Sequence, residues 1–269
     1  MLLNIVKQLL NFRRAPVLIK KLAYRLVDSA QHEKDAALSA WLEAQACDFS
    51  EFAQGLDADL WAEAKMYARD ARAQAREQLS ALPVTLGGGG YTELLYFLTR
   101  FLMPETVVET GVAAGHSSRA VLTALSKNNQ VSGIEGRLYS SDFPYFRIEN
   151  PEQYIGVLVE EALKSNWTLE IDGDEKNLPR IAEQCGRVGL FHYDSEKRYA
   201  GRQSAFELLA PVLDGDSIIV MDDINDNAFF KDYVEREGGA FQVFRFEGKF
   251  VGLKGDLRAA AEERREVAL

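Results

Sequence analysis

Three aspartates and a lysine in the second half of the chain have the types and the spacing of a metal-dependent catalytic site. Asp194 ends one strand-like run, and the pair Asp222 and Asp223 ends the next. Neighbouring parallel strands bring their carboxyl ends to one edge of a sheet, so the three carboxylates are expected to converge on a hard cation such as Mg²⁺. Lys197 follows Asp194 closely, where it would take a proton from a substrate hydroxyl held at that metal. The alternative for Lys197 is a surface ion pair with Glu196.

Residues 107–122, VVETGVAAGHSSRAVL, predict a strand, a glycine turn and a helix in succession. Gly111 and Gly115 bound the turn, Glu109 precedes it, and Ser117 opens the helix. Glycine lets a backbone approach a ligand closely, which is how α/β folds hold nucleotide-like molecules. The turn lacks the third glycine of the dinucleotide fingerprint, and its acid would repel a pyrophosphate. The loop therefore favours a ligand that carries a positive charge and hydroxyl groups.

Acidic residues also end the remaining predicted strands of the sheet. Two candidates belong to the second strand: Glu135 has the more usual interval from the glycine turn, whereas Asp142 follows the better strand and is favoured. Gly173 and Asp174 follow the third strand, and capping of the next helix is the alternative role for Asp174. Like charges crowded at one rim destabilise a fold unless a cation binds there. The rim therefore predicts a cationic ligand together with a divalent metal.

The elements that position these residues alternate between strand and helix from residue 105 onward, which predicts an α/β fold with a mostly parallel sheet. An antiparallel hairpin around Gly248 ends the alternation. Residues 127–136 are interpreted as a long loop. The predicted strands are 106–109, 137–143, 167–171, 188–194, 217–222, 241–247 and 249–253, and the predicted helices are 117–126, 152–165, 175–185, 203–213 and 228–237.

The first part of the chain, residues 1–86, is predicted to be a wholly helical region that covers the site or forms an oligomer interface. Gly87–Gly90 marks the boundary with a second domain at 87–254, either as a hinge or as a loop whose bare backbone admits a ligand. Residues 255–269 are expected to form a charged helical tail. The helices predicted before the first strand are 17–27, 36–46, one that Asp57 or Asp59 caps and that ends near Ala81, and Tyr91–Phe101.

Charge is distributed unevenly along the chain. The net charge is −10, yet residues 1–27 carry basic residues and no acid. The acidic body excludes general nucleic-acid binding, which needs a basic footprint. The basic segment is also partly apolar, which is typical either of peripheral contact with an anionic membrane or of packing on this protein's own body or a second subunit, and we expect a homo-oligomer. Two distant cysteines, no membrane-spanning run and no signal peptide indicate a cytoplasmic protein.

Several of these motifs resemble those of known methyltransferases. The E-x-G-x-x-x-G loop at Glu109 resembles the first motif of class I S-adenosylmethionine (SAM)-dependent methyltransferases. The D-x-x-K and D-D segments resemble catechol O-methyltransferase and related metal-dependent enzymes. The D-S-E-x-x-Y form, with DFPYF and ENPEQYIGVLV, resembles bacterial enzymes of the "methyltransferase 24" family. The resemblance spans about residues 85–253, and a histidine commonly stands in these relatives where Lys197 stands here.

This resemblance implies a Rossmann-like class I methyltransferase fold and a SAM-dependent, Mg²⁺-dependent O-methyltransferase that acts on a hydroxylated small molecule. It implies that the glycine loop surrounds the amino-acid part of SAM, that Asp142 or Glu135 binds the ribose, and that Gly173 and Asp174 contact the adenine. A metal-independent methyltransferase acting on nitrogen or carboxylate and a non-catalytic methyltransferase-like module are the alternatives. The implied cofactor-binding residues are Glu109, Gly111, Gly115, Ser117, Asp142, Gly173, Asp174 and Asp194, the implied metal ligands are Asp194, Asp222 and Asp223, and the implied catalytic residues are Lys197 and Asp194.

Overall fold

The structure, a computed structural model, describes residues 36–86, 88–145, 147–246 and 248–260, together with Ala15, Ile19 and Glu262. The predicted helix at 17–27 and most of the predicted tail lie outside these ranges, although residues 257–260 are helical. Within the described part of the chain, none of the helices combines the length and apolarity that a membrane crossing requires.

A single mixed sheet forms the centre of the fold. In the described part of the chain it has eight strands, in the order β1-β7-β8-β6-β5-β2-β3-β4. The strand β8 runs antiparallel between β6 and β7, and the other neighbours are parallel. The strands are β1 (Ala46–Cys47), β2 (Thr106–Thr110), β3 (Arg137–Ser141), β4 (Trp167–Glu170), β5 (Leu190–Tyr193), β6 (Ile218–Met221), β7 (Phe241–Phe246) and β8 (Lys249–Lys254). The predicted parallel sheet with an antiparallel C-terminal hairpin is confirmed.

Helices lie on both faces of this sheet. They are α1 (Ala36–Gln45), α2 (Phe49–Leu56), α3 (Ala58–Ser80), α4 (Thr92–Leu102), α5 (His116–Ser132), α6 (Asp174–Gln184), α7 (Tyr199–Leu209) and α8 (Phe229–Glu237). Of the two predicted caps for α3, Asp57 is the one used, since its carboxylate accepts a hydrogen bond of 2.9 Å from the N–H of Leu60. The first part of the chain is not wholly helical, because β1 pairs with the edge strand β7.

Apolar side chains of the strands alternate between two packed layers, as the period of a strand requires. Val107 packs with α2–α5, whereas its neighbour Val108 packs with α1 and α6–α8 on the other face. The helices that precede Gly88 share this core, because the ring of Phe49 lies 4.9 Å from that of Phe244 on β7. The domain boundary placed at Gly87–Gly90 stays a prediction.

Two predicted elements differ from the structure. The interpretation of 127–136 as a loop is wrong, because α5 continues to Ser132 and ends where Gly133 takes a left-handed conformation. Its polar run is tied into the core, since Asn128 donates a 2.9 Å hydrogen bond to the Thr99 carbonyl. The largely helical segment predicted at 152–165 is not one continuous helix: it has two short 3₁₀ helical turns, Pro151–Tyr154 and Glu161–Asn166. Between these two turns, backbone N–H groups bond to the glycine loop instead of forming a helix.

Candidate active site

The glycine loop between β2 and α5 needs its two glycines for steric reasons. Gly111 has φ +86°, and a Cβ there would collide with the carbonyl oxygen of Asp194. Gly115 has φ +94°, and a Cβ there would lie 2.8 Å from the Cα of Gly156. Ser117, in the first turn of α5, lines a small cavity above this loop. The loop is therefore pressed between two neighbouring backbones, and its open side faces the cavity.

The glycine segment before α4 lines the same cavity. Gly88, Gly89 and Gly90 face it, together with Ala113 of the glycine loop. A Cβ at Gly89 would collide with the imidazole of His116. The sequence predicts this segment to be either a hinge or a loop whose bare backbone admits a ligand. Its position at the cavity supports the second prediction.

Asp142 and Glu135 lie at opposite ends of β3. The carboxylate of Asp142 accepts hydrogen bonds from the N–H groups of Val112 at 3.2 Å and Ala113 at 2.8 Å, so it holds the glycine loop directly. Glu135 is exposed in the loop before the strand, at the edge of the sheet away from the glycine turn. The structure thus brings Asp142, and not Glu135, to the rim where the other predicted residues converge.

The Gly173–Asp174 pair connects several strand ends. The N–H of Gly173 donates a 3.1 Å hydrogen bond to the carbonyl of Asp142. The carboxylate of Asp174 accepts hydrogen bonds from the hydroxyl groups of Ser141 at 2.6 Å and Ser195 at 2.5 Å. Asp174 therefore ties the end of β3 to the turn that follows β5, and so orders the floor of the rim.

Glu109 is fully buried beneath the glycine loop. One of its oxygens accepts hydrogen bonds from Ser118 at 2.5 Å and Ser140 at 2.9 Å. The other lies 3.5 Å from Nδ1 of His192, at the outer limit of a hydrogen bond. Burial alone would lower the pKa of His192, but the hydrogen bonding and charge of Glu109, with the charges of Asp194 and Asp222, outweigh it and raise that pKa. The two side chains are thus buried together next to the strand that leads into the loop.

The predicted metal ligands meet at the ends of β5 and β6. Asp194, Asp222 and Asp223, called the acidic triad below, each offer an oxygen atom, and these atoms lie within 4.8 Å of one another. The register explains this, because Tyr193 pairs with Met221 and the aspartates follow directly. Hard oxygen donors in such a cluster fit a divalent cation such as Mg²⁺.

Lys197 is turned toward the acidic triad rather than toward Glu196. Its ammonium contacts Asp194 and lies 3.5 Å from Asp222 and 3.1 Å from Asp223. Glu196 pairs with Arg198 at 2.9 Å instead. A second amine, that of Lys249, lies 2.8 Å from Asp223. The alternative of a surface ion pair between Lys197 and Glu196 is therefore not what the structure has.

The carboxylates and the lysine of this cluster shift one another's pKa values. Burial raises the pKa of Asp194, and the neighbouring Asp222 adds to this, while Lys197 opposes it. Burial alone would also raise the pKa of Asp222, but its hydrogen bond with Asp194 and the charge of Lys197 lower it. Burial alone would lower the pKa of Lys197, yet the carboxylates raise it. Without a metal, Lys197 is thus a cation that compensates the triad, and it would become a base only after another cation takes that role.

A buried arginine that the sequence reading did not single out holds the Asp222–Asp223 turn. Arg202 on α7 is fully buried, and it donates hydrogen bonds of 3.1 Å and 2.8 Å to the carbonyls of Asp222 and Asp223. Asp223 has φ +49°, which is uncommon for a residue other than glycine. The sequence does contain a signal for this residue. Arg202 stands at helical spacing from Ala205, Phe206 and Leu209, which places a charged residue on the apolar face of the helix.

Comparisons with known proteins agree with this geometry. A family model described as a methyltransferase domain, the "methyltransferase 24" family that the motifs resemble, matches residues 108–224. Residues 108–224 form a methyltransferase domain. This domain contains the glycine loop, Asp142, Lys197 and the acidic triad. The resemblance that the sequence motifs suggested is thereby confirmed for residues 108–224. No curated protein matches the chain significantly.

Solved structures of other methyltransferases share the fold. The TDP-rhamnose 3'-O-methyltransferase CalS11 of calicheamicin biosynthesis has a TM-score of 0.51 and 17% identity, over 70% of this chain and 94% of that one. TomG, an O-methyltransferase from Streptomyces achromogenes in complex with SAM, has a TM-score of 0.51 and 14% identity, over 69% and 87%. An O-methyltransferase from Bacillus cereus in complex with SAH has a TM-score of 0.51 and 13% identity, over 79% and 98%.

Proposed function

We propose that this methyltransferase transfers the methyl group of SAM to a hydroxyl group of a small molecule and uses Mg²⁺ at the acidic triad. The observation that carries the proposal is the convergence of three carboxylates beside the glycine loop, at one rim of the sheet. A cofactor loop and a cation site must be adjacent if an acceptor oxygen is to meet the methyl carbon, since most of the acceleration comes from proximity and orientation.

The SAM site is proposed at the glycine loop. Gly111 and Gly115 let the loop pack against the backbones of Asp194 and Gly156, and the cavity side of the loop is proposed to hold the amino-acid part of SAM, with Ser117 at the start of α5 and the buried Glu109 below. Asp142 is proposed to bind the ribose hydroxyls: its carboxylate bonds the loop already and, with about four lone-pair sites, it has acceptor capacity beyond those contacts. Gly173 and Asp174 lie next to Asp142 and are proposed to border the adenine.

The acidic triad is proposed to hold Mg²⁺, which would lower the pKa of a coordinated acceptor hydroxyl when bound. Asp194, Asp222 and Asp223 would be its protein ligands. Lys197 would leave the centre of the triad and take the hydroxyl proton as a neutral amine, because a divalent cation then replaces it as the charge partner of the carboxylates. Asp194 would orient that lysine, which it contacts already.

The acceptor is proposed to be a hydroxylated small molecule, a class to which the TDP-rhamnose named for CalS11 belongs. A nucleic acid is disfavoured by the net charge of −10. The homo-oligomer and the peripheral membrane contact of residues 1–27 stay predictions from the sequence.

A second candidate is a metal-independent methyltransferase that acts on nitrogen or carboxylate. The observation that favours it is the position of Lys197, whose ammonium already compensates the three carboxylates. The two candidates differ in whether chelation of divalent metal changes the rate.

The test has two stages. First, calorimetric titration should show that the protein binds SAM. Second, phenols, sugars and sugar nucleotides are screened as acceptors, and with an accepted one the protein should release SAH faster in Mg²⁺ than in EDTA. Asp222→Ala should abolish the metal-dependent rate and retain SAM binding, whereas Asp216→Ala, which removes an exposed carboxylate of the loop before β6, should change neither. A rate that is equal with EDTA, or full activity of Asp222→Ala, would refute the metal role.

A further inference from the structure

Tyr91 occupies an unusual position at the start of α4. It follows Gly90, and its backbone has φ +45°, a left-handed conformation that is an outlier for a bulky side chain. Its ring is buried, packs 4.4 Å from the ring of Phe246, and borders the cavity that Asp194 also lines. The unfavourable backbone conformation holds an aromatic side chain at the edge of the active site.

The hydroxyl group of Tyr91 is buried and, among the residues that the structure describes, has no partner in hydrogen-bonding geometry. Nevertheless it lies beside the acidic triad, in the cavity that Asp194 lines. Burial, then the charge of Asp222 and a hydrogen-bonding approach to Asp222 that falls short of good geometry, and then the charges of Asp223 and Asp194 raise the pKa of this hydroxyl. The phenol is therefore a hydrogen-bond donor close to Asp222 that makes no hydrogen bond of good geometry among the described residues.

Packing alone does not account for this hydroxyl. A phenylalanine would place the same ring against Phe246 and would bury no unpaired polar atom. Unpaired buried groups and left-handed backbone are both costly, and they tend to occur together where a site requires them. In the structure the ammonium of Lys197 lies 3.5 Å from Asp222, so it competes for the carboxylate that Tyr91 approaches.

We propose that Tyr91 is a positioning residue of the metal site, whose hydroxyl donates a hydrogen bond to the carboxylate of Asp222 when a divalent cation displaces Lys197. One oxygen of Asp222 accepts the N–H of Asp223 at 2.8 Å and the other lies 3.5 Å from Lys197. An ionised carboxylate has about four acceptor sites, so Asp222 can bind the cation and still accept the phenol once the amine has left. A donor in this role orients a metal ligand. The proposal rests on the proposed function, because it requires Mg²⁺ at the triad.

The test is a calorimetric titration of Mg²⁺ into the full chain saturated with SAM, for wild type, Tyr91→Phe and Tyr96→Phe. Tyr96 is the matched control, since it is also buried on α4 but its hydroxyl donates to Glu63 instead. Tyr91→Phe should bind Mg²⁺ about 10- to 100-fold more weakly, with SAM affinity unchanged and a melting temperature of the metal-free protein no lower than that of wild type. Tyr96→Phe should melt earlier and bind Mg²⁺ as wild type does.

The outcomes separate this proposal from the proposed function. If wild type binds no Mg²⁺, the metal role itself fails and this proposal falls with it. If wild type binds Mg²⁺ and Tyr91→Phe binds it equally well, only the role of Tyr91 is overturned. A Tyr91→Phe variant that melts earlier and also loses SAM affinity would show a structural role, which overturns the proposal as well.

Discussion

Replacing Lys197 with methionine gives the sharpest test of how the acidic triad is balanced. Methionine keeps an unbranched side chain of similar reach but removes the charge. Without the ammonium group of Lys197, three carboxylates whose oxygens lie within 4.8 Å of one another lose the cation that contacts them. We expect the metal-free protein to become less stable and its response to Mg²⁺ to become larger, because the ammonium no longer competes for the same place.

The size of the effect follows from the contacts of Lys197. At an effective dielectric constant of about 20, a unit pair near 3.1 Å, the distance to Asp223, corresponds to about 5 kcal/mol before desolvation. Burial of the amine offsets much of that energy, and about a third of the Lys197 and Asp194 side chains is still exposed, at 31% and 35%. The net loss should therefore be larger than that from breaking a surface pair, below about 1 kcal/mol, and smaller than that from breaking a buried pair, about 3–5 kcal/mol. We expect the free energy of unfolding to fall by about 2 kcal/mol.

The loss should also depend on pH. Burial raises the pKa of Asp194 in the folded state, and removal of the neighbouring ammonium would raise it further. A carboxyl group whose folded pKa is raised stabilises the fold fully below its unfolded pKa and loses that contribution as the pH rises through the folded value. The deficit of Lys197→Met relative to wild type should thus be largest above the raised pKa of Asp194 and should shrink as the pH falls through it.

Urea unfolding of the metal-free proteins at several pH values, followed by the same series with Mg²⁺, measures these quantities. Lys164→Met is the matched control: it removes a lysine that pairs with Glu161 at 2.8 Å on the surface, and it should change the free energy of unfolding by less than about 1 kcal/mol. A Lys197→Met protein that is as stable as wild type at neutral pH, and that Mg²⁺ stabilises no more than wild type, would refute the role of Lys197 as the cation of the triad.

Three further substitutions probe the elements around the triad. Gly111→Ala places a Cβ against the carbonyl oxygen of Asp194 at φ +86°, so it should destabilise the fold by about 1–3 kcal/mol and weaken SAM binding, as thermal unfolding and calorimetry would measure. Asp142→Asn replaces a carboxylate that holds two loop N–H groups with an amide, and the SAM dissociation constant should rise by about tenfold, one lost hydrogen bond to a charged group, while the melting temperature changes little. Arg202→Met removes a buried charge but also leaves two carbonyls without donors, so unfolding should become easier by about 2–4 kcal/mol and Mg²⁺ affinity should fall, whereas unchanged Mg²⁺ affinity would deny Arg202 a role in shaping the turn.

The positions of the acids at the rim could be read from the sequence because each follows a strand. A parallel sheet brings the carboxyl ends of its strands to one edge, so an aspartate placed directly after an apolar run must lie near others placed likewise. Asp194 and Asp222 follow Tyr193 and Met221, which are partners in neighbouring strands. Local pattern and global topology coincide here, and this part of the candidate site was predictable for that reason.

Features that depend on distant partners could not be predicted in this way. Residues 155–158 leave the helical pattern at Gly156, which has φ +67°. A single glycine is a weak local signal, and the stronger cause is distant: the N–H groups of Gly156 and Leu158 bond to the carbonyls of Ala113 and Ala114 in the glycine loop. Likewise, α5 continues through Asn128, whose side-chain amide donates a hydrogen bond to the carbonyl of the distant Thr99. The sequence also could not decide whether Lys197 pairs with Glu196 or with the acidic triad. In the structure Arg198 pairs with Glu196, and Lys197 contacts Asp194 of the triad.

Two residues other than glycine with left-handed backbone lie at the acidic triad: Asp223, which belongs to it, and Tyr91, which borders the same cavity as Asp194. Both conformations cost the fold stability. Asp223 tolerates this conformation better than a bulky residue does, and Arg202 holds its carbonyl at 2.8 Å. Tyr91 has no such intrinsic tolerance, and its hydroxyl has no partner among the described residues. If the site served only to pair Lys197 with carboxylates, neither conformation would be needed, because the three rotatable N–H donors of an ammonium group can reach acceptors in many arrangements. A cation that demands near-octahedral oxygen geometry does need ligands held at fixed angles. The paired strain therefore argues for a metal-organising site over a simple ion cluster.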